Sequence, residues 1–210
     1  GTSLKNKEAI LTKLKSKYNS QIKGFTLGNL NIDSLEALVM RENALATADA
    51  YVDANGVIVI HVSQRIPILK VLSDNGYRYY IDKSGYIFDV SQGLVSRVPV
   101  VTGNLKGFNT SLNTFPSSLS LSLAALAKGL DADPVAMSLI DQVSALHDQN
   151  LQLIPKMGNL RFLIGNDDQD IDAKLERLKI FYEKIYTQVD STVLDYRSVD
   201  VRYKDQIVCK

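Results

Sequence analysis

Apolar residues recur along the chain with two different periods. Spacings of three and four residues predict amphipathic helices, whereas alternation of apolar and polar residues predicts strands with one buried face. The helical pattern predicts helices at Leu4 to Tyr18, from Asn31 or Asp33 to about Asn43, at Ser120 to Leu130, from Asp133 to about His147, and from Asp170 to Val189. The buried stripe of the second helix is Leu35, Leu38 and Val39.

The alternating segments predict two hairpins and several shorter strands. The first hairpin lies within Thr47 to Leu72 and turns at Asn55-Gly56, a strong short-range hairpin signal. Pro67 has no N–H, so it must end the second strand of this hairpin or place that strand at a sheet edge. The other predicted strands are Tyr77 to Ile81, Tyr86 to Val90 (joined to the previous strand at Gly85), Val98 to Val101, a hairpin over Leu151 to Ile164 turning at Met157-Gly158-Asn159, and Ser198 to Cys209. Residues 104–118 read as a loop.

Helix start signals support three of these boundaries. Asn31 or Asp33 can cap the second helix, and Asp133-Pro134 combines a capping carboxylate with a proline at the first helical position. Asp170 can cap the last helix. The order of elements is two helices and a hairpin, then a strand-rich unit with helices interspersed. This predicts an α+β fold, with a domain boundary near Pro67.

Composition narrows the class of protein. With 210 residues, 45% of them hydrophobic, the chain can bury a core without disulfide or metal staples. The net charge of +1 gives no overall field for nucleic acid or an acidic substrate. The lysine-rich segment 1–25 favours a solvated helix face over a membrane or nucleic-acid patch. No stretch reaches the roughly 20 apolar residues of a transmembrane helix.

The sequence contains no recognisable catalytic constellation. Its two histidines, His61 and His147, are predicted in a strand and at a helix end, and each is read as structural or solvated. The single cysteine, Cys209, has no neighbouring histidine to activate it. We therefore expect no enzymatic activity, no cofactor and no small-molecule substrate.

The densest acidic cluster, residues 166–172, superficially resembles a calcium loop. A loop beginning at Asp168 would need glycine at its sixth position and glutamate at its twelfth, where the chain has Ala173 and Lys179. Acidic residues also gather at helix N-termini, where the helix dipole favours them. We expect no metal site.

The closing segment is the best candidate for a docking surface. Val199, Val201 and Tyr203 alternate with charged residues, and an exposed edge strand can pair with a strand of another chain. Periodicity alone leaves open whether it is such an edge or an ordinary core strand with solvated charges. The candidate partner-binding residues are Val199, Asp200, Val201, Arg202, Tyr203, Lys204, Asp205, Gln206, Ile207 and Val208.

Five collinear segments resemble the bacterial cell-division family FtsQ, also called DivIB. They are Val62-Ser63-Gln64-Arg65-Ile66-Pro67-Ile68, Tyr80-Ile81-Asp82-Lys83-Ser84-Gly85-Tyr86-Ile87-Phe88, Val98-Pro99-Val100-Val101-Thr102-Gly103, Arg161-Phe162-Leu163-Ile164-Gly165, and Val199 to Val208. Each is short, and the last is the most distinctive.

The resemblance implies a non-enzymatic scaffold of the septal division complex. It implies a single-pass inner-membrane protein whose soluble part lies on the periplasmic side, with a POTRA domain at 1–70 and a larger β domain at 71–210. Implied partners are FtsB (DivIC)-like and FtsL-like proteins. In the family the last strand receives an FtsB segment by strand addition, and Arg202 and Tyr203 stand at the matching positions.

The chain departs from the family pattern at both ends. A POTRA domain begins with a strand, whereas this chain opens almost directly on a helix. We therefore expect the first strand and the membrane anchor to lie upstream of Gly1. The chain also stops two residues after Val208, without the longer tail of some relatives.

Two other functions are compatible with the sequence. A POTRA-type chaperoning module of outer-membrane assembly or secretion would be accompanied by tandem POTRA repeats or a downstream barrel. A hydrolase with a cryptic site around His147 or His61 would show turnover that is abolished by His147→Ala.

Overall fold

The computed structural model describes residues 11–12, 16, 31–73, 76, 78–89, 96–105, 117–167, 169–186 and 196–210. The predicted helix from Leu4 to Tyr18 lies outside these residues, apart from Leu11, Thr12 and Ser16, which are helical. Most of the predicted 104–118 loop also lies outside them. Within the described residues the chain divides into two compact units, of which the first ends at Arg65 and the second begins at Ile66. The predicted domain boundary at residue 70 stays a prediction.

The first unit packs one helix on one face of a hairpin. Helix α1 (Ile32–Val39) begins at Asn31, whose side-chain oxygen accepts a hydrogen bond from the Ser34 N–H at 2.8 Å. The predicted stripe of Leu35, Leu38 and Val39 is buried, as expected. Strands β1 (Leu45–Val52) and β2 (Ile58–Gln64) pair antiparallel, which confirms the first hairpin.

The turn of this hairpin contains the predicted Asn55-Gly56 pair, and a hydrogen bond from the Gly56 N–H to the Asp53 carbonyl at 3.0 Å closes it. Residues 53–57 separate the two strands, and the Asp53 carboxylate accepts hydrogen bonds from the N–H groups of Asn55 and Val57 at 2.9 and 2.8 Å. Gly56 adopts the left-handed conformation, with φ 75°. The carboxylate at the start of the loop therefore organises it.

The second unit is a mixed nine-stranded sheet with helices. Its strands are β3 (Pro67–Leu72), β4 (Arg78–Asp82), β5 (Ile87–Asp89), β6 (Val100–Gly103), β7 (Ile140–Ala145), β8 (Leu151–Pro155), β9 (Arg161–Gly165), β10 (Ser198–Asp200) and β11 (Val208–Cys209). Its helices are α2 (Ser117–Ala132), α3 (Pro134–Leu139), α4 (Ile171–Phe181) and a π-helical turn (Tyr182–Tyr186). The strand order is β11-β10-β9-β8-β7-β6-β3-β4-β5. These elements confirm the α+β class.

The core of the second unit lies between the sheet and its helices. α2 contacts β3 and β4, and α4 contacts β9. Phe162 on β9 is fully buried and meets Phe181 at the end of α4 edge-on, with ring centroids 5.5 Å apart. Alternate residues of β7, β8 and β9 join this core, so the sheet has one helix-covered face and an opposite face.

The helix predicted from Asp133 is wrong in extent. The helix starting at Asp133 ends at Leu139 rather than His147, and Ile140 to Ala145 form β7. Parallel pairing with β6 and antiparallel pairing with β8 stabilise the extended form of this segment, and no local signal carries that information. The last helix becomes π-helical after Phe181, and residues 187–190 lie outside the described part of the chain.

Of two other predicted N-caps, Asp133 and Asp170, only the first makes capping hydrogen bonds through its side chain. Asp133 accepts hydrogen bonds from the N–H groups of Val135 and Ala136 at 3.1 and 3.0 Å, which confirms it as an N-cap. Asp170 stands at the N-cap position of α4 with a left-handed backbone, φ 54°, but its side chain makes no capping hydrogen bond. The prediction that Asp170 caps through its carboxylate is therefore wrong.

Candidate docking edge

The closing segment is two short strands, not the single strand predicted over Ser198 to Cys209. Strand β10 ends at Asp200, and β11 begins only at Val208. Between them the chain turns back, with Asp205 at φ 58°, and the two strands pair antiparallel. The apolar alternation of the sequence reflects burial at Val199 and Val201 and does not continue as a strand to Tyr203.

Strand β10 is held firmly inside the sheet. It runs parallel to β9, with Val199 opposite Phe162 and Asp200 opposite Leu163. The side chains of Val199 and Val201 are fully buried. Of the ten candidate partner-binding residues, these two therefore face the core, and their side chains have no surface to offer a partner.

Strand β11 is the outermost strand at its end of the sheet, and the ladder fixes which of its groups face outward. Ser198 and Lys210 exchange both N–H···O bonds, at 3.0 and 2.9 Å. In an antiparallel ladder such pairs alternate with pairs that share no hydrogen bond. The neighbouring pair, Val199 and Cys209, is of the second kind. The N–H and C=O of Cys209 therefore point away from β10, toward the open edge.

The side chains next to this edge are only partly buried. Ile207 and Cys209 pack against the core cluster that includes Val199, which places them on the helix-covered face. Burial raises the pKa of the Cys209 thiol, so the thiol is protonated at neutral pH. Cys209 was not among the predicted docking residues. The signal for it in the sequence was the alternation that continues from Ile207.

A bidentate ion pair organises the loop between β10 and β11. The Nη2 and Nε atoms of Arg202 donate to the two carboxylate oxygens of Asp200 at 2.7 and 2.9 Å. The Asp200 side chain is 6% exposed and that of Arg202 is 34% exposed. The hydrogen bonds from Arg202 hold the pKa of Asp200 below its ordinary value, against the opposing effect of burial.

Further contacts fix the start of this loop. Arg177 on α4 donates from Nε to the carbonyl of Val201 at 2.9 Å. The aliphatic stem of Arg202 lies beside Gly165, where a Cβ would meet it at 3.3 Å. Arg202 thus acts within the domain, between the sheet and the loop. This role was not visible in the sequence.

The tip of the loop is the most exposed part of the segment. Tyr203 is 50% exposed, and its ring lies 5.8 Å from the Arg202 guanidinium carbon. Lys204, Asp205 and Gln206 are exposed as well. The structure therefore brings an open strand edge, a fixed arginine and an exposed tyrosine together at one end of the sheet.

Each of the other sequence candidates has its own local surroundings. His61 lies on β2 in the first unit and stacks on Tyr51, with ring centroids 5.7 Å apart. His147 follows β7 in the second unit and is exposed. In the acidic cluster, Asp167 pairs with the buried Lys174. Among the described residues, no group of three or more histidine, cysteine or acidic side chains is arranged to hold a metal ion.

Comparison with known families gives one match. The model of the family described as FtsQ/DivIB, C-terminal related, matches residues 66–210 of the 210-residue chain. The chain belongs to this family. The resemblance inferred from the five sequence segments is confirmed. No curated protein matches the chain.

Membership of the FtsQ/DivIB family gives the protein a broad functional context. The family indicates a role in cell division and interaction with other division proteins. Members of the family are generally non-enzymatic division scaffolds that are anchored in the membrane and have a periplasmic domain. Within the described residues of this FtsQ/DivIB-related chain, no helix is both long enough and apolar enough to cross a membrane.

Proposed function

We propose that this FtsQ/DivIB-related protein is a non-enzymatic scaffold of the septal division complex that binds an FtsB/DivIC-like partner by strand addition at β11. An FtsL-like protein is the second expected partner. The soluble part acts on the periplasmic side of the inner membrane. The outward-facing N–H and C=O of Cys209 are the observation that carries the proposal, because they are what an added strand requires.

In this proposal the closing segment does not dock as one strand, and only part of it contacts the partner directly. Val199 and Val201 belong to the core, and Asp200 with Arg202 stabilises the loop. The direct contacts are assigned to the backbone of Ile207 to Cys209 and to exposed side chains of the loop, above all Tyr203. The open edge is short, so loop contacts must add to its few hydrogen bonds.

Substitution at Cys209 tests the strand addition through the backbone. Proline lacks an N–H, and an edge strand tolerates it where the N–H faces away from the sheet. Cys209→Pro removes the outward donor and leaves the Ser198–Lys210 and Asp200–Val208 pairs in place. We expect binding of an FtsB-like protein, measured by calorimetry, to weaken at least about tenfold, the equivalent of roughly 1.4 kcal/mol.

Cys209→Val is the matched control. It removes the thiol but keeps the N–H, so binding should stay near that of the unmodified protein. Amide NMR spectra of both variants check that the β10–β11 pairing persists. Equal binding by a folded Cys209→Pro variant and by Cys209→Val would show that the partner does not pair with this edge.

A further inference from the structure

The open edge carries a basic side chain on the face opposite the helices. Ser198 pairs with Lys210 on one side and with Arg161 of β9 on the other. Side chains directly opposite each other in a sheet share a face. Arg161 precedes the buried Phe162, and Lys210 follows Cys209, so both cations lie on the face away from the core.

These two cations are exposed, and Lys210 lies near enough to Asp200 for the two charges to attract. Neither forms an ion pair with a described residue. The Asp200 carboxylate already accepts hydrogen bonds from two nitrogen atoms of Arg202, Nε and Nη2. Asp200 is shared between Arg202 and Lys210, so the outermost strand presents a positive charge that is only partly compensated, beside its unpaired backbone groups.

The two faces of the edge favour different side chains in an added strand. On the helix-covered face, Ile207 and Cys209 are partly buried against the core and would be covered by an apolar neighbour. On the other face, a residue directly across from Lys210 would stand about 5 Å from it at the Cβ atoms. Arg161 lies two strands further in, about 15 Å from an added strand, and acts on it more weakly.

We infer that the segment docking on β11 is an acidic, alternating strand: apolar residues face Ile207 and Cys209, and a carboxylate stands across from Lys210. The inference rests on the proposed strand addition and names the chemistry of its partner. It holds for a parallel or an antiparallel strand, because the residue across from Lys210 points to the same face in both. A shift by one residue would turn the carboxylate toward the apolar side.

Three capped peptides test this chemistry. Their sequence is Thr-Val-X-Val-X-Val-Thr, with glutamate, glutamine or lysine at both X positions. Binding to the protein is followed by the NMR shifts of the Ile207, Val208 and Cys209 amides, a method suited to weak binding. At low salt we expect the glutamate peptide to bind about fivefold more tightly than the lysine peptide, with glutamine between them.

Charge reversal identifies the responsible residue. Lys210→Glu should invert the order of the three peptides, whereas Arg161→Glu should change the ratio by less than about twofold because of its distance. The matched control reverses two exposed basic residues near the other end of the sheet, Arg78→Glu and Lys83→Glu, and should leave the order unchanged.

The outcomes distinguish a failure of the acidic preference from a failure of the proposed strand addition. If all three peptides shift the β11 amides with equal affinity, strand addition stands and the acidic preference is wrong. A preference for lysine, or one that survives Lys210→Glu, also overturns the inference. If no peptide shifts these amides, the edge does not accept a strand, and the proposed function fails with it.

Discussion

The two ends of the nine-stranded sheet are built differently, although both end in short strands. At one end, Ile87 and Phe88 of β5 are buried, and a tight turn connects the strand to β4. At the other end, Val208 and Cys209 of β11 are only partly buried, and a longer loop leads to them. We call the β5 end, where the side chains of the last strand are buried, the closed edge, and the β11 end, where they are partly exposed, the open edge.

The turn at the closed edge is fixed from within and against a helix. The Asp82 carboxylate accepts hydrogen bonds from the Ser84 N–H and hydroxyl and from the Tyr86 N–H. Gly85, at φ 80°, lies directly against Ala124 of α2. Exposed edges invite association with other chains, and natural sheets usually protect them. The contrast teaches that buried side chains and a turn packed on α2 anchor β5, whereas β11, with partly buried side chains, depends more on its pairing with β10.

The largest effect is expected from disturbing the closed edge. Gly85→Ala places a side chain on a left-handed backbone and pushes its Cβ into Ala124, so we expect a loss of about 3 kcal/mol in the free energy of unfolding. Gly76→Ala is the control, because Gly76 has a similar φ of 81° with no atom within 4 Å of the added Cβ. It should cost about 1 kcal/mol. Equal losses in urea unfolding would mean that the contact with Ala124 is unimportant.

A smaller effect is expected at the ion pair of the open edge. Asp200→Asn keeps the shape of the side chain but removes its charge, and should cost about 1–2 kcal/mol near neutral pH. The pKa of Asp200 is lowered in the folded protein, so its contribution is complete above the ordinary value of 3.8 and is lost as the pH falls through the lowered pKa. The difference between the two proteins in urea unfolding should therefore shrink below about pH 4. A difference that stays constant down to pH 2 would contradict this ion-pair role.

The smallest effect on stability is expected at the loop tip. Tyr203→Ala should change the free energy of unfolding by less than about 0.5 kcal/mol, because the side chain is exposed. It should nevertheless weaken binding of the FtsB-like partner about tenfold, since exposed tyrosines are frequent binding hot spots. Tyr86→Ala, at a tyrosine that is 43% exposed beside the closed edge, is the control and should bind normally. Equal binding by both variants would remove Tyr203 from the interface.

Much of the fold could be predicted because its signals are local. Asn31 caps α1, Asp133-Pro134 begins α3, and Gly85 and Gly158 provide the positive φ of their turns. Each of these features depends on the chemistry of one or two residues. The family could be recognised for a related reason, since its segments keep their order along the chain.

The wrong predictions concern segments whose local structure depends on residues that are distant in the sequence. Ile140 to Ala145 read as the continuation of a helix, but pairing with β6 and β8 makes them a strand. In the closing segment, the Asp200–Arg202 ion pair and the left-handed Asp205 end the strand that alternation predicted. The orientation of the Cys209 backbone depends on which residue pairs of β10 and β11 are hydrogen-bonded, and a sequence does not specify this. The candidate site was therefore found in the right segment, but with the wrong internal structure.

The parallel pairing of β10 with β9 has a consequence for the assembly of the protein. Parallel neighbours cannot be joined by a tight turn, and here the connection runs through α4. β11 in turn pairs with β10 alone among the described strands. The open edge therefore depends on pairings between residues far apart in the sequence, and such pairings form slowly in folding. Under the proposed strand addition, a partner would therefore bind only molecules in which β10 has paired with β9 and β11 has paired with β10.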